Sequence, residues 1–419
     1  MKTFRTGRDP SAAAGGDGVK GQATSSFTKK RLKHVVLLRR SRVDGSEDDR
    51  PYIGLENIES WTGKRLGDPA VVDGESSAAA GEGTSLSNAF EPGDVLFGKL
   101  RPYLAKAWVA EFSGRSTTEL LVMQPVEVES RFLRYVCLWR EFVDAVDAST
   151  FGSKMPRADW DFIGNLPVPI PDWPTQRAIA DYLDRETARI DALIAAKERV
   201  LALLAEKRRA LNTRAVTRGL DPHAPLRDSG IPWLGEIPAH WGLKKLAFLV
   251  SLKSGESITA DDISDEGQYP VYGGNGLRGY TDRFTHEGEY VLIGRQGALC
   301  GNINYAKGRF FPSEHAVVVT PREKLAVRWL GELLRVMDLN QYSASAAQPG
   351  LAVEAIAALH VPVPPFDEQV AIAVHITCQT AKLDALRAVT VRTIALLKER
   401  RAALISAAVT GQIELKGVA

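Results

Sequence analysis

The triplet Ser313-Glu314-His315 sets a hydroxyl, a carboxylate and an imidazole side by side, the residue types of nucleophilic catalysis. Neighbouring side chains of a strand alternate between its faces, so the run does not read as a nucleophile–base pair. Glu414-Leu-Lys416 has the acidic-x-Lys form of a nuclease fragment, but at the end of the chain it reads as a frayed terminus. The chain has no G-x-x-x-x-G-K-[ST] loop, no H-E-x-x-H and no G-x-S-x-G. No G-x-G-x-x-G is expected after a strand. Catalysis, bound metal and a bound nucleotide are therefore not expected in this chain.

Another set of residues suits binding. Lys99 and Arg295 each follow a glycine at the end of an apolar run. Glycine permits close backbone approach, and a cation can meet a phosphate or a guanine edge. Arg101 and Tyr103 extend the first of these places; Arg278, Tyr280 and Asn302 lie near glycines around the second. Lys154 and Arg157 flank Met155-Pro156, and Gln348 precedes Pro349 at the matching position. Arginine suits guanine, and Asn or Gln suits adenine.

These places recur because the chain is duplicated. Leu166–Pro171 with Gln176 returns as Leu359–Pro364 with Gln369, at an offset of 193 residues that holds ungapped to Ala215-Val-Thr217 and Ala408-Val-Thr410. Upstream, Val95–Lys99 parallels Val291–Arg295, and Leu121–Pro125 parallels Val317–Pro321. The period is too long for a solenoid and describes two copies of one unit. Each copy reads as a mixed α and β domain followed by a long helix. Strands are expected at Val35–Leu38, Val95–Phe97, Ala107–Ala110, Leu120–Gln124, Tyr290–Ile293 and Ala316–Thr320. Helices are expected at Leu133–Val146 and Val327–Met337. Residues 73–88 read as an exposed loop. The proline stretches Pro167–Pro171 and Pro362–Pro365 cannot be helical and read as stiff stops.

The long helices are expected from Thr175 to Thr217 and from Glu368 to Thr410, each on the order of 60 Å. Leu183, Ile190, Leu204 and Leu211 recur at seven-residue steps, and Ile376, Leu383, Leu397 and Leu404 repeat them. That is the seam of a coiled coil, broken once in each copy, by Lys197 and by Thr390. Antiparallel pairing would bring both breaks to the middle, where polar groups fix register. The fold class is thus α+β: two similar mixed domains separated by an antiparallel two-helix coiled coil, with a pseudo-two-fold internal repeat. The segments are a disordered tail (1–27), a first recognition domain (28–171), a central helical spacer (172–220), a second recognition domain (221–365) and a C-terminal spacer (366–419). Such a pair of readers on a rod is a ruler, and half-sites on DNA about 34 Å apart are a natural object for it.

Composition agrees with a folded protein of 419 residues, 44% apolar and 25% charged. The net charge of +2 hides +9 over residues 1–42 and −7 over the rest. Any nucleic-acid surface beyond the tail must be local. The same deficit suits an adaptor that spaces two protein-binding domains without touching DNA. Cys137, Cys300 and Cys378 form no C-x-x-C pair, which fits a cytoplasmic protein. No apolar run is long enough to span a membrane.

Several stretches carry a family resemblance. Pro169–Asp184, Ile190–Ile194 and Glu206–Leu211 resemble the central region of the specificity (S) subunit of type I restriction–modification enzymes. Gly219–Pro222 and Trp233–Trp241 are similar to the lead-in of that family's second recognition domain, and Gly98–Tyr103 with Gly152–Pro156 to its first. The resemblance runs from about residue 28 to the end. It implies a non-catalytic subunit whose two target recognition domains each read one half of an asymmetric double-stranded DNA sequence. It further implies helices that pair antiparallel and dock two methylation subunits, which hold S-adenosylmethionine. A restriction/translocase subunit using ATP and Mg would complete the complex. The first copy departs from the pattern: it starts near Lys29–Lys33, without a counterpart of the Trp233–Trp241 lead-in.

Overall fold

The computed structural model describes residues 27–44, 49–67, 86–297, 299–343 and 350–413. The chain divides into two compact units, one of residues 1–194 with 395–419, the other of residues 195–394. The proposed tail up to Ser26, the acidic-x-Lys run at 414–416 and Gln348 lie outside the described residues.

In the first unit the chain forms β1 (Lys29–Arg31), β2 (Val36–Leu38), β3 (Arg42–Asp44), β4 (Tyr52–Ile53), β5 (Leu86–Phe90), β6 (Val95–Gly98), β7 (Ala107–Val109), β8 (Gly114–Ser116) and β9 (Leu120–Pro125). There follow α1 (Ser130–Cys137), α2 (Arg140–Ala148), α3 (Trp160–Ile163), β10 (Pro167–Pro169) and the long α4 (Trp173–Arg218). One sheet has the order β2-β9-β6-β7, a second β3-β5-β8-β4, and β1 pairs with β10. The two-residue alternation of strands sorts the core. Val95, Phe97, Leu121 and Met123 face α1 and α2. Leu96, Leu120 and Val122 face Ile53, Phe90 and Trp108 around the second sheet. Both faces of β6 are covered, which is why its sequence is apolar throughout.

The second unit carries β11 (Leu226–Asp228), β12 (Glu236–Pro238), β13 (Gly242–Lys245), α5 (Leu246–Leu249), β14 (Val250–Ser254), β15 (Tyr269–Gly273), β16 (Gly276–Thr281), β17 (His286–Gly294), β18 (Ile303–Pro312) and β19 (Ala316–Pro321). Then come α6 (Val327–Val336), α7 (Val353–Ala357), β20 (His360–Val363) and α8 (Phe366–Val409), whose last turns belong to the first unit. The sheet order is β14-β19-β17-β18-β15-β16. Its first four strands repeat the order β2-β9-β6-β7, so the duplicated sequence folds as a duplicated α+β domain.

Several expectations change in detail. The helix expected over Leu133–Val146 is two, because the chain turns at Trp139 and its indole donates to Ser406. Residues 86–88 of the expected loop belong to β5. The proline stretches are more than stops: Pro167–Pro169 pairs with β1 and His360–Val363 with β13. Both long helices start two residues earlier than expected, and Pro174 is tolerated there because the first turn of a helix has no amide partner to lose. Gly274, Gly276 and Gly279 do have the G-x-G-x-x-G spacing after a strand, but the run continues into β16. No helix opens there to hold a pyrophosphate. Phe27 precedes β1 as Trp241 precedes β13 and packs into the first unit's core, so one aromatic ring stands where the second copy has its lead-in.

Within each unit the long helices pair antiparallel. In the first, Ile179 and Leu183 of α4 join Leu404, Ile405 and Val409 of α8, and Asp191 accepts from Arg401. In the second, Leu211 and Ala215 join Ile372 and Ile376, and Asp384 accepts from Arg208. These two ion pairs are images of each other under the 193-residue offset. Leu183, Ile190 and Ile376 are buried, while Leu204, Leu211, Leu383, Leu397 and Leu404 are half-buried. The seven-residue steps are only half of the seam. The other half is Thr187, Ile194, Leu201, Arg208 and Ala215 on α4, and Thr380, Ile394, Arg401 and Ala408 on α8. Lys197 is half-buried; Thr390 is buried, and its hydroxyl donates to Leu386 O within its own helix. No helix among the described residues is long and apolar enough to cross a membrane.

The repeated glutamines hold each helix to its domain. Gln176 donates to Pro171 O and accepts from the amide of Glu129; Gln369 does the same with Pro364 O and Ala326. Both are buried. Gln369→Ala leaves the buried Pro364 O and the half-buried amide of Ala326 without their partner and should cost about 1–3 kcal/mol, read as a lower urea midpoint. An unchanged midpoint would remove the clamp from this account.

Candidate nucleic-acid interface

Strands β2 and β6 run antiparallel to β9. The C-terminal ends of β2 and β6 therefore meet the N-terminal end of β9. There the sequence places Arg39, Arg40 and Arg42 after β2, Lys99 after β6, and Thr118 and Glu119 before β9. These residues other than Glu119 line a cleft of about 580 Å³, joined by Asn88, Phe151, Arg157 and Trp160. Main-chain bonds fix its floor: Lys99 N donates to Glu119 O at 3.0 Å, and Ala158 N to Lys99 O at 3.0 Å.

Two of its cations are held by carboxylates. Arg39 is bound bidentately by the buried Asp94, at 2.7 and 3.2 Å. Arg157 lies on Glu119 at 3.0 and 3.1 Å. Each carboxylate raises the pKa of its arginine through these hydrogen bonds. Arg40, Arg42 and Lys99 have no ion-pair partner among the described residues. They are the cations free to meet phosphates or base edges.

The second unit builds the same sheet end with other side chains. Arg295 N donates to His315 O at 2.9 Å, and Leu351 N to Arg295 O at 3.0 Å. The Arg295 guanidinium donates to Ser254, and Asn302 reaches Asn275 at 3.4 Å. His315 bonds Gln296 through Nδ1 and approaches Glu314 through Nε2. Ser313 is fully buried, and its hydroxyl has no hydrogen-bond partner among the described residues. The triplet therefore forms no Ser–His couple.

Of the residues singled out from the sequence, Lys99 and Arg157 converge on the first cleft. Arg157 does so as a positioning group, since Glu119 occupies its fork. Arg101 has a left-handed backbone and donates its amide to Pro156 O; Tyr103 is exposed on the turn beyond it. Lys154 is exposed on the loop between Phe151 and Arg157. Arg278 is exposed and Tyr280 half-buried on β16, while Arg295 and Asn302 flank the nearby turn. The glycines before Lys99 and Arg295 serve the protein's own packing. A Cβ on Gly294 would lie 2.3 Å from Gly274 O, and one on Gly98 3.2 Å from Leu55. Sequence reasoning missed Arg39–Arg42, Asn88 and Trp160 in the first unit, and Gln296 in the second. Arg39-Arg-Ser-Arg42 directly after a strand was the available signal.

Residues 238–402 match the family model of the type I restriction modification DNA specificity domain. The chain is 43% identical over 134 residues to the specificity subunit of the type I restriction enzyme EcoprrI from Escherichia coli, covering 31% of this chain and 33% of that one. It spans about a third of the length of the curated relatives it matches. A chain from a structural study of complex assembly and conformational transition of the type I R-M system superposes with a TM-score of 0.71, at 18% identity, over 93% of this chain and 99% of that one. The HsdS subunit of Thermoanaerobacter tengcongensis gives 0.51, also at 18%, over 93% and 98%. The matched domain and the relative in Escherichia coli make this chain similar to type I restriction–modification specificity subunits over the matched residues, and the superpositions show that it shares their fold.

Proposed function

We propose that this chain reads a bipartite, asymmetric sequence in double-stranded DNA for a type I restriction–modification complex. One observation carries the reading: the same sheet end occurs twice, with Lys99, Glu119 and Arg157 in one unit and Arg295, His315 and Gly350 in the other. Equal scaffolds with unlike side chains suit two unlike half-sites. Residues 28–171 and 221–365 act as the recognition domains, and 172–220 with 366–419 as a coiled-coil spacer. The outward residues Leu193 and Leu203 are exposed, and so are their images Leu386 and Leu396. A surface repeated by duplication suits two copies of one partner, the methylation subunits. The chain itself is non-catalytic and works in the cytoplasm. S-adenosylmethionine belongs to the methylation partner, and ATP and Mg to the restriction/translocase partner.

A salt series on the chain with its methylation partner tests this. For a DNA reader, log K falls steeply and linearly with log salt. Absence of duplex binding at low salt would favour the adaptor without DNA contact.

A further inference from the structure

The loop from Phe151 to Arg157 exposes what folding normally hides. Phe151 is 63% exposed and Met155 45%. The loop is nonetheless closed tightly. Phe151 N donates to Arg157 O and Arg157 N to Phe151 O, both at 3.1 Å. Gly152 turns the chain at φ +89°, where a Cβ would approach Met155 O at 3.3 Å. Pro156 O accepts from Arg101, and the Arg157 guanidinium lies on Glu119. A closed loop thus carries a phenyl ring that lines the same cleft as Arg40, Arg42 and Lys99.

An exposed apolar ring beside a cleft whose lining has Arg40, Arg42 and Lys99 without ion-pair partners, along with Asp159 and Asp161, suits a partner that is polyanionic outside and flat and apolar within. Stacked bases behind a phosphodiester backbone have that chemistry. Phe and Met are residue types that enter base steps, unstacking them at a cost of a few kcal/mol that wider contact with a kinked duplex offsets. We propose that Phe151, with the exposed Met155 on the same loop, is a wedge that enters a base step of the half-site read by the first unit. The proposal rests on the DNA-reading function above and adds to it a distortion of the duplex at a defined place.

The test uses the full chain with its methylation partner and a duplex carrying the methylation motif mapped for this chain. 2-Aminopurine is placed in turn at positions of each half-site other than the methylated adenine. Wild type should raise its fluorescence at one step, in one half-site only. Phe151→Ala should abolish that rise and weaken binding about tenfold, the scale of one lost aromatic–base stack. Phe151→Trp should restore both. Because the ring is exposed, thermal unfolding of the alanine variant should match wild type. An undiminished rise in Phe151→Ala overturns the wedge. So does a loss of affinity that thymine-to-uracil replacement reproduces, since that marks contact with a thymine methyl group. Failure of wild type to bind the duplex overturns the DNA-reading function itself.

Discussion

Arg401→Ala should destabilise the chain by about 2–4 kcal/mol, because it leaves the carbonyls of Trp61 and Thr62 without their donor and Asp191 with only the exposed Lys64, 2.8 Å away. Its image in the duplication, Arg208→Ala, should cost only about 0–1 kcal/mol, as for an exposed pair. The sequence makes the two ion pairs equivalent; the surroundings do not. Arg401 is 7% exposed and donates to Asp191, Trp61 O and Thr62 O at 2.9, 2.6 and 3.1 Å. It ties the long helices to the first domain through a loop. Arg208 and Asp384 have side chains 43% and 52% exposed and bond each other at 2.7 Å. Urea unfolding of the two variants beside wild type separates these cases. Equal shifts would mean that the buried hub contributes no more than a surface pair.

The second large effect concerns binding. Removing Arg40, Arg42 and Lys99 together takes away the free cations of the first cleft. Each released phosphate contact lowers the magnitude of the salt slope by about 0.9, so the triple alanine variant should lose about 2–3 in d log K/d log salt. Three lost charge-assisted contacts at about 1 kcal/mol or more each should weaken binding on the order of a hundredfold. Unfolding should be little changed, since none of the three has an ion-pair partner among the described residues. Titration of a labelled duplex at several salt concentrations reads both quantities. An unchanged slope would move the interface elsewhere.

The duplication and the long helices were legible because they depend on local pattern. Heptad leucines and paired prolines announce themselves at any burial. The second half of the seam was not legible, because polar residues occupy much of it. Thr187 and Thr380 are buried only because their hydroxyls donate to the carbonyls of Leu183 and Ile376. Arg208 and Arg401 fit only because an aspartate on the other helix meets each. Those partners are known once pairing is known. Gln176 and Gln369 stood out as repeats, but their clamp joins groups 47 and 43 residues apart, which no periodicity reveals. The candidate cleft was half legible for the same reason. Lys99 and Arg157 lay beside glycine and proline signals, whereas Arg39–Arg42 reach the cleft only through the pairing of β2 with β9. Gly98 and Gly294 show the opposite error. Their lack of a side chain makes room for Leu55 and for Gly274 rather than for a ligand.

The most direct measurement is methylation mapping of genomic adenines in a host that carries this chain with the methylation subunit proposed for it, against the same host without the chain. The expected pattern is a split motif with two different halves around an unread gap. In the Arg40, Arg42 and Lys99 variant, methylation of that motif should fall. An uninterrupted or palindromic motif, or a methylation pattern indifferent to the chain, would contradict the assignment of two unlike readers on one polypeptide.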